Sequence, residues 1–250
     1  MISSIWHELF FNPIYNGLVF LIDVVPRGDV GLAIILLTVC VKFALLPLSI
    51  KAARTQRGMR EIEPRLNEIK ERYKDDRETL ARETFALYKE AGVNPFASIA
   101  LLFIQIPVVI ALYLSVYTRN GIHLPAINTA LLYSFVSAPH TTSMLFLDLV
   151  NIATKNIFLA ALAGATQFFQ VYLTFPKPPA KKEGEKPSLK DDFAHSMHLQ
   201  MRYVMPLLIF FFAYSASATV ALYFIVSNIM GIVQEYIVRA LHKQSTETPH

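Results

Sequence analysis

Charge is scarce in this chain. Of its 250 residues only 17% are Asp, Glu, Lys or Arg, against 54% in the apolar set, and mean hydropathy is +0.40. Soluble domains carry about 25% charged residues, so a soluble enzyme built on one core fits poorly. A disordered chain is excluded as well, since disorder needs low hydrophobicity. Cysteine is nearly missing: Cys40 stands alone inside an apolar run. No internal disulfide can form, and no redox compartment can be read from it. Zinc-ligand spacings, P-loops and dinucleotide fingerprints are lacking. The nearest metal spacing is His195 and His198 beside Asp191 and Asp192, in a polar loop that reads as solvated. Asp148 might suggest an intramembrane aspartyl site, but such a site needs two carboxylates that share a proton, and no second Asp falls in the long apolar runs. No His falls in one either, so Ser49, Ser215, Ser217 and Ser227, in or beside these runs, have no base among them. Enzyme activity is not expected, and no cofactor is implied.

What the chain does have is long apolar runs. Val30–Ile50 would reach roughly 31 Å as a helix, enough for the hydrocarbon core. Phe96–Tyr117 follows Asn94-Pro95 and carries Pro107. Ile157–Phe175 holds Gln167 and Gln170 one turn apart. Tyr203–Ser215 and Thr219–Val238 complete the set, joined by a short run of Ser and Ala. Thr129–Val150 is apolar enough to tempt a sixth assignment, but Pro139-His140-Thr141-Thr142 interrupts it. Five spans put the basic loops Lys51–Lys89 and Lys177–Arg202 on one side with Arg239 and Lys243. Only Arg27, Arg119 and Lys155 remain opposite. That bias predicts an N-out, C-in topology, with the basic loops on the cytosolic face of the membrane.

The expected architecture is therefore an all-α polytopic membrane protein, a five-helix transmembrane bundle with a cytosolic helical hairpin. Residues 1–29 form an N-terminal segment whose Trp6, Phe10, Phe11 and Tyr15 suit the membrane interface, with a functionless tail as the alternative. The core runs over 30–241, with spans at 30–50, 96–117, 157–175, 203–215 and 219–238. An external loop occupies 118–156, a cytosolic loop 176–202, and a polar tail 242–250. The hairpin covers 54–92. Met59, Ile62, Leu66, Ile69 and Tyr73 step by three and four, and Leu80, Ala81, Thr84, Phe85, Leu87 and Tyr88 stripe the returning helix. Asp75-Asp76 breaks the pair and Gly92 ends it. Glu61 with Arg65 and Glu68 with Arg72 have the i,i+4 spacing of favourable ion pairs. Lys51–Glu90 carries 11 basic residues but also nine acidic ones. That mixture reads as a solvated helix surface, and no direct nucleic-acid recognition is expected.

Polar groups inside apolar helices are the functional candidates: Lys42, Gln105, Gln167, Gln170, Asn228 and Gln234. Interhelical hydrogen bonding, near 0.6 kcal/mol each, is the plain explanation for Gln105 and Asn228. Lys42 differs. It sits about 18 Å from Val30 and about 12 Å from the Ile50 end, at the helical rise. A lysine side chain reaches only roughly 6 Å, so snorkelling falls short. Inserting the charge at mid-membrane costs about 2.5–3.5 kcal/mol. A water-filled cavity open to the cytosol solves the problem most economically.

Three stretches carry a resemblance. Gly31–Lys51, GLAIILLTVCVKFALLPLSIK, resembles the first core span of the YidC/Oxa-type membrane protein insertases. Gly92–Leu114, GVNPFASIALLFIQIPVVIALYL, is similar to that family's most recognisable stretch, and Leu222–Ile237, LYFIVSNIMGIVQEYI, to its last span. The resemblance implies insertion and folding of nascent membrane proteins in the lipid bilayer, alone or with the Sec translocon. It implies a hydrophilic groove open to cytosol and lipid and closed outside. Lys42 takes the place of the groove's positive residue, usually Arg in the family. An aromatic groove position filled elsewhere by Trp must be Tyr or Phe here, and Tyr214 and Tyr223 both qualify. Lys42, Gln105, Gln167, Gln170, Tyr214, Tyr223 and Asn228 are the expected groove residues. The mobile basic hairpin is expected to meet substrate or ribosome first. A small transporter or channel with an intramembrane cationic site is the alternative, though no inverted repeat supports it.

Overall fold

A computed structural model describes residues 2–94, 96–116, 124–174 and 200–247. Helices dominate it. The short α1 (Ile2–Trp6) runs through a widened turn, His7–Phe11, into α2 (Asn12–Val24). Then come α3 (Val30–Ala44), α4 (Leu46–Glu61), α5 (Glu63–Arg72), α6 (Arg77–Glu90) and α7 (Phe96–Val116). Past a loop lie α8 (Ile157–Thr174), α9 (Met205–Ala216) and α10 (Ala218–Glu247). By length and composition α8 and the Ala218–Ala240 part of α10 can each cross a membrane, and α3 with the first part of α4 adds a third if that broken pair counts as one span. The chain is thus a mainly α-helical membrane protein.

One expectation needs correction. The run Val30–Ile50 is not one helix: it breaks at Leu45. Pro47 explains the break, because its ring has no N–H to give and collides with the carbonyl four residues back, that of Phe43. The all-α class agrees with the structure, to which one short ribbon is added. Within the loop, β1 (Leu145–Phe146) and β2 (Val150–Asn151) pair antiparallel, Leu145 opposite Asn151 and Phe146 opposite Val150.

Two compact units divide the chain, residues 1–42 with 107–236 and residues 43–106 with 237–250. The core of the first joins Leu18 and Ile22 of α2, Ala33, Ile34 and Leu37 of α3, Ala111 and Leu112 of α7, and Leu222 and Tyr223 of α10. A second cluster, Ala160, Ala163, Ala213, Ala221 and Ile225, packs α8, α9 and α10 through small residues. Small side chains let helix backbones approach where no apolar solvent contrast drives them together. Gly164 shows how closely: a Cβ there would lie 3.1 Å from Phe210 Cβ and 3.2 Å from the Pro206 carbonyl oxygen.

The loop after α7 is fastened across one end of this unit. The buried Asn16 of α2 donates to the Leu131 carbonyl (2.9 Å) and accepts from the Tyr133 N–H (2.6 Å). The Tyr15 hydroxyl accepts from the Asn128 N–H at 2.8 Å. Ser143 exchanges backbone bonds with Gly28 (2.8 Å) and Val30 (3.0 Å) at the start of α3. The buried Asp29 accepts from Leu32 N–H (3.1 Å), capping α3, and from Leu147 N–H (2.8 Å). Ala218 N–H reaches the Thr154 carbonyl (2.8 Å), and Thr219 binds Ile152 through backbone and hydroxyl. Thus α3, α8 and α10 all begin at this fastened end.

The ribbon's turn is unusual. Leu147 and Asp148 have φ of 52° and 60°, and Leu149 N–H closes the turn onto the Phe146 carbonyl at 3.0 Å. Such turns ordinarily select Asn or Gly, and a non-glycine residue in this region costs about 1–2 kcal/mol. Asp148 forms an ion pair with Arg27.

In the second unit α5 and α6 share a small core, Ile62, Leu66 and Leu87, flanked by Met59, Ile69 and Tyr88. Phe85, placed in the stripe by periodicity, is exposed. Arg65 does not pair with Glu61 but forms a two-pronged bond to Glu90, at 2.9 and 3.0 Å. Asp76 caps α6 by accepting from Thr79 N–H at 3.1 Å. These bonds hold the Glu90 and Asp76 carboxyls below the usual range, the Arg65 guanidinium doing so for Glu90 and the Thr79 bond for Asp76. Gly92, at φ +64°, ends the returning helix as its position suggested.

Candidate functional site

The polar residues of the first unit can be located by counting turns from the fastened end. At 1.5 Å per residue, Lys42 lies roughly 18 Å along α3. On α8, Gln167 lies roughly 15 Å in and Gln170 roughly 20 Å. On α10, Asn228 lies roughly 15 Å from Ala218. Counted this way all four lie roughly 15–20 Å from the fastened end, which puts Lys42 in the last turn of α3 and the other three partway along α8 and α10. Lys42, Gln167 and Gln170 are each half-buried, whereas Asn228 is buried.

The Asn228 amide nitrogen is engaged. It donates to the Thr166 hydroxyl (3.1 Å) and the Ala163 carbonyl (3.3 Å), while the Thr166 hydroxyl donates back to Ala163 (3.0 Å). These bonds tie α10 to α8. One turn further, Gln170 lies over Gly231: a Cβ at Gly231 would come within 2.3 Å of Gln170 Nε2. Gly231 is what admits the amide to the surface of α10.

Tyr223 is buried in the core. With Ile14, Leu37, Thr38, Val41, Val108 and Leu112 it lines a small apolar cavity. The Thr38 hydroxyl donates to the Ile34 carbonyl at 2.7 Å. The Tyr223 hydroxyl has Ser227 one turn on as its polar neighbour, and reaches no partner in full hydrogen-bond geometry among the described residues. Tyr214 sits elsewhere. It is exposed, stacked on Phe210, with Lys155 Nζ 5.9 Å from its ring centre. Lys155 lies two residues before α8, so Tyr214 belongs to the fastened end and is not grouped with Gln167 and Gln170. Gln105 is half-buried on the part of α7 that belongs to the second unit.

Several residues escaped the sequence reading. Gly231 and Thr166 have no distinctive pattern and acquire roles only from the neighbouring helix. Glu235, half-buried on α10, is a carboxylate inside the last apolar run that the inventory of polar residues should have included. Asn16 and Asp29 stood among apolar neighbours in plain view, and their bonds to the loop show why. No cluster of three or more His, Cys, Asp or Glu suited to a metal occurs among the described residues, and His195 and His198 lie outside them.

Comparison with known proteins bears on the whole chain. Residues 21–246 match the family described as 60Kd inner membrane protein. The chain is 31% identical over 219 residues to a membrane protein insertase YidC of Clostridium tetani, covering 88% of this chain and 86% of that protein. It is 30% identical over 241 residues to membrane protein insertase YidC 2 of Bacillus anthracis, covering 95% and 82%. With membrane protein insertase YidC 1 of Streptococcus pyogenes it shares 34% over 211 residues, covering 83% and 66%.

Proposed function

Because the chain belongs to the 60Kd inner membrane protein family, the YidC/Oxa-type insertases, its function is the non-enzymatic insertion of membrane proteins, and we propose that it works through a wet groove centred on Lys42, Gln167 and Gln170. The observation that carries this reading is their common depth, roughly 15–20 Å from the fastened end. An isolated polar side chain at that depth is costly, and a group of them on separate helices can share water.

The mechanism follows from transfer energies. A nascent chain must move a polar segment across the bilayer, and each unpaired polar group in hydrocarbon costs several kcal/mol. Water reaching mid-membrane shortens the apolar path to what remains beyond Lys42. The cation attracts acidic substrate segments, while Gln167 and Gln170 exchange hydrogen bonds with whatever passes. The substrate's apolar helix then leaves sideways into lipid, driven by its own burial. Asn228 and Tyr223 serve this arrangement by holding α10 in place. Gln105 and Tyr214 belong to the groove reading on sequence grounds alone.

In this reading five helices cross the membrane, N-out and C-in. The fastened loop closes the outer end, and the α5–α6 pair lies in the cytosol, where it meets substrate, ribosome or the Sec translocon. The test is complementation of an insertase-depleted bacterial strain, followed by insertion into proteoliposomes. Growth without insertion by the purified protein would overturn the groove as an autonomous device.

A further inference from the structure

The turn of the β-ribbon presents leucines to its surroundings. Leu145, Leu147 and Leu149 are all exposed, Leu149 at 82%. In water this is unfavourable twice over, because Leu147 also occupies a backbone conformation that suits Asn or Gly. The position of the turn supplies a reason. Asp29, which caps the start of α3, binds the Leu147 N–H directly. The strand after the turn leads to Ile152, which Thr219 binds at the start of α10, and six residues beyond Asn151 the chain enters α8. The turn therefore lies level with the first residues of three helices. At that level α8 itself displays Ile157 and Phe158, the latter 82% exposed. The charged side chains at that level are the Arg27–Asp148 pair and the exposed Lys155.

We propose that the ribbon turn is a lipid anchor, with Leu147 and Leu149 seated at the top of the acyl chains of the leaflet where α3, α8 and α10 begin. The apolar surface of the first turn of α8 continues into the leucines, and the Arg27–Asp148 pair occupies the headgroup layer, where ions stay solvated. Burial of the leucines in lipid offsets the strained backbone, and so explains a leucine where a turn in water selects Asn. A protein partner on the same surface is the competing occupant, but nothing in the ribbon offers it a groove or a matching charge. The inference rests on reading α8 as a membrane span and is independent of the groove.

The experiment uses the full chain in phosphatidylcholine vesicles. Trp6→Phe removes the only native tryptophan; Leu149→Trp or Phe158→Trp then adds one reporter, and lipids brominated at successive acyl positions act as depth-dependent quenchers. Trp at 149 should be blue-shifted and lose most of its emission to the shallowest bromines, as should Trp at 158. Trp at 149 with emission like that of free tryptophan and no quenching, while Trp at 158 is quenched, would overturn the anchor and favour a turn open to a protein partner. Quenching at neither position would remove α8 as a lipid-facing span, and the anchor with it, while leaving the insertase function untouched.

Discussion

The amide of Gln170 fills the space that a side chain on Gly231 would need, with Nε2 2.3 Å from the position of a Cβ. Gly231→Ala therefore displaces Gln170 without touching any other proposed groove residue. The atom met is the end of a flexible side chain, and alanine regains up to about 1 kcal/mol of helix propensity. The protein should stay folded and as stable as before. If Gln170 serves the groove, insertion should fall to a level matching Gln170→Ala. The comparison of both variants in a proteoliposome assay decides it, and full activity in both would remove Gln170 from the mechanism.

Lys42 separates charge from wetness. Lys42→Arg should retain activity, since charge and reach persist. Lys42→Leu removes a group costing about 2.5–3.5 kcal/mol to insert, so protein levels should hold or rise. Its insertion of substrates with acidic external segments should nevertheless drop severalfold, and that of neutral ones less. Lys42→Glu should be worst for acidic substrates. Equal handling of the acidic substrate by Lys42→Leu and the parent protein would remove the charge from the mechanism.

Orientation can be read by cysteine labelling in a Cys40→Ser background. Cysteine at Thr141 should react from outside intact cells, and cysteine at Asp75 only after the inner face is opened. The reverse pattern would invert the topology and move the α5–α6 pair out of the cytosol.

The α5–α6 pair should loosen in acid. The folded-state carboxyls of Asp76 and Glu90 are held below their ordinary values. Their contribution is thus fully present above the ordinary carboxylate range and is lost as pH falls through the lowered values. Amide exchange at Leu66 and Leu87, corrected for the intrinsic pH dependence, should accelerate across that window. Asp76→Asn, which can still cap, should flatten part of the response.

Asn16 makes a prediction about the closed end. Asn16→Ala removes two hydrogen bonds to the loop, with the Leu131 carbonyl and the Tyr133 N–H, each worth about 0.5–1.5 kcal/mol net. Protease cleavage within residues 124–142 should become faster while α8 and α10 stay protected. Unchanged protection would mean the bonds from Tyr15, Gly28, Asp29, Val30 and Thr219 hold the loop without Asn16.

Helix positions were largely legible because long apolar runs dominate the chain and Gly92 and the Asp75-Asp76 break punctuate the rest. The bend at Leu45 was legible in principle, through Pro47, but apolar continuity from Val30 to Ile50 outweighed it. The ribbon was not legible: two-residue strands carry no periodicity, and Leu147 is the wrong residue for its turn in water. At the site, Lys42 announced itself by the cost of burying it. Tyr214 and Tyr223 could not be told apart by sequence, since each lies on an apolar helix. Their separation depends on which neighbours α9 and α10 face, with Lys155 beside one and the core around the other. Arg65 had Glu61 at i,i+4 spacing, and only tertiary contact with the returning helix selected Glu90 instead.

The clasp between α2 and the loop also sets an order of events at birth. Asn16 waits for a carbonyl 115 residues later in the chain, and Asp29 for an N–H 118 residues later. At roughly 5–20 residues per second, α2 and α3 leave the ribosome roughly 6–24 seconds before their partners exist. During that interval an amide and a carboxylate destined for burial must stay hydrated or borrow other partners. The chain therefore begins its own life with polar groups that still need water, and its fastened end can be completed only after synthesis has passed Leu147.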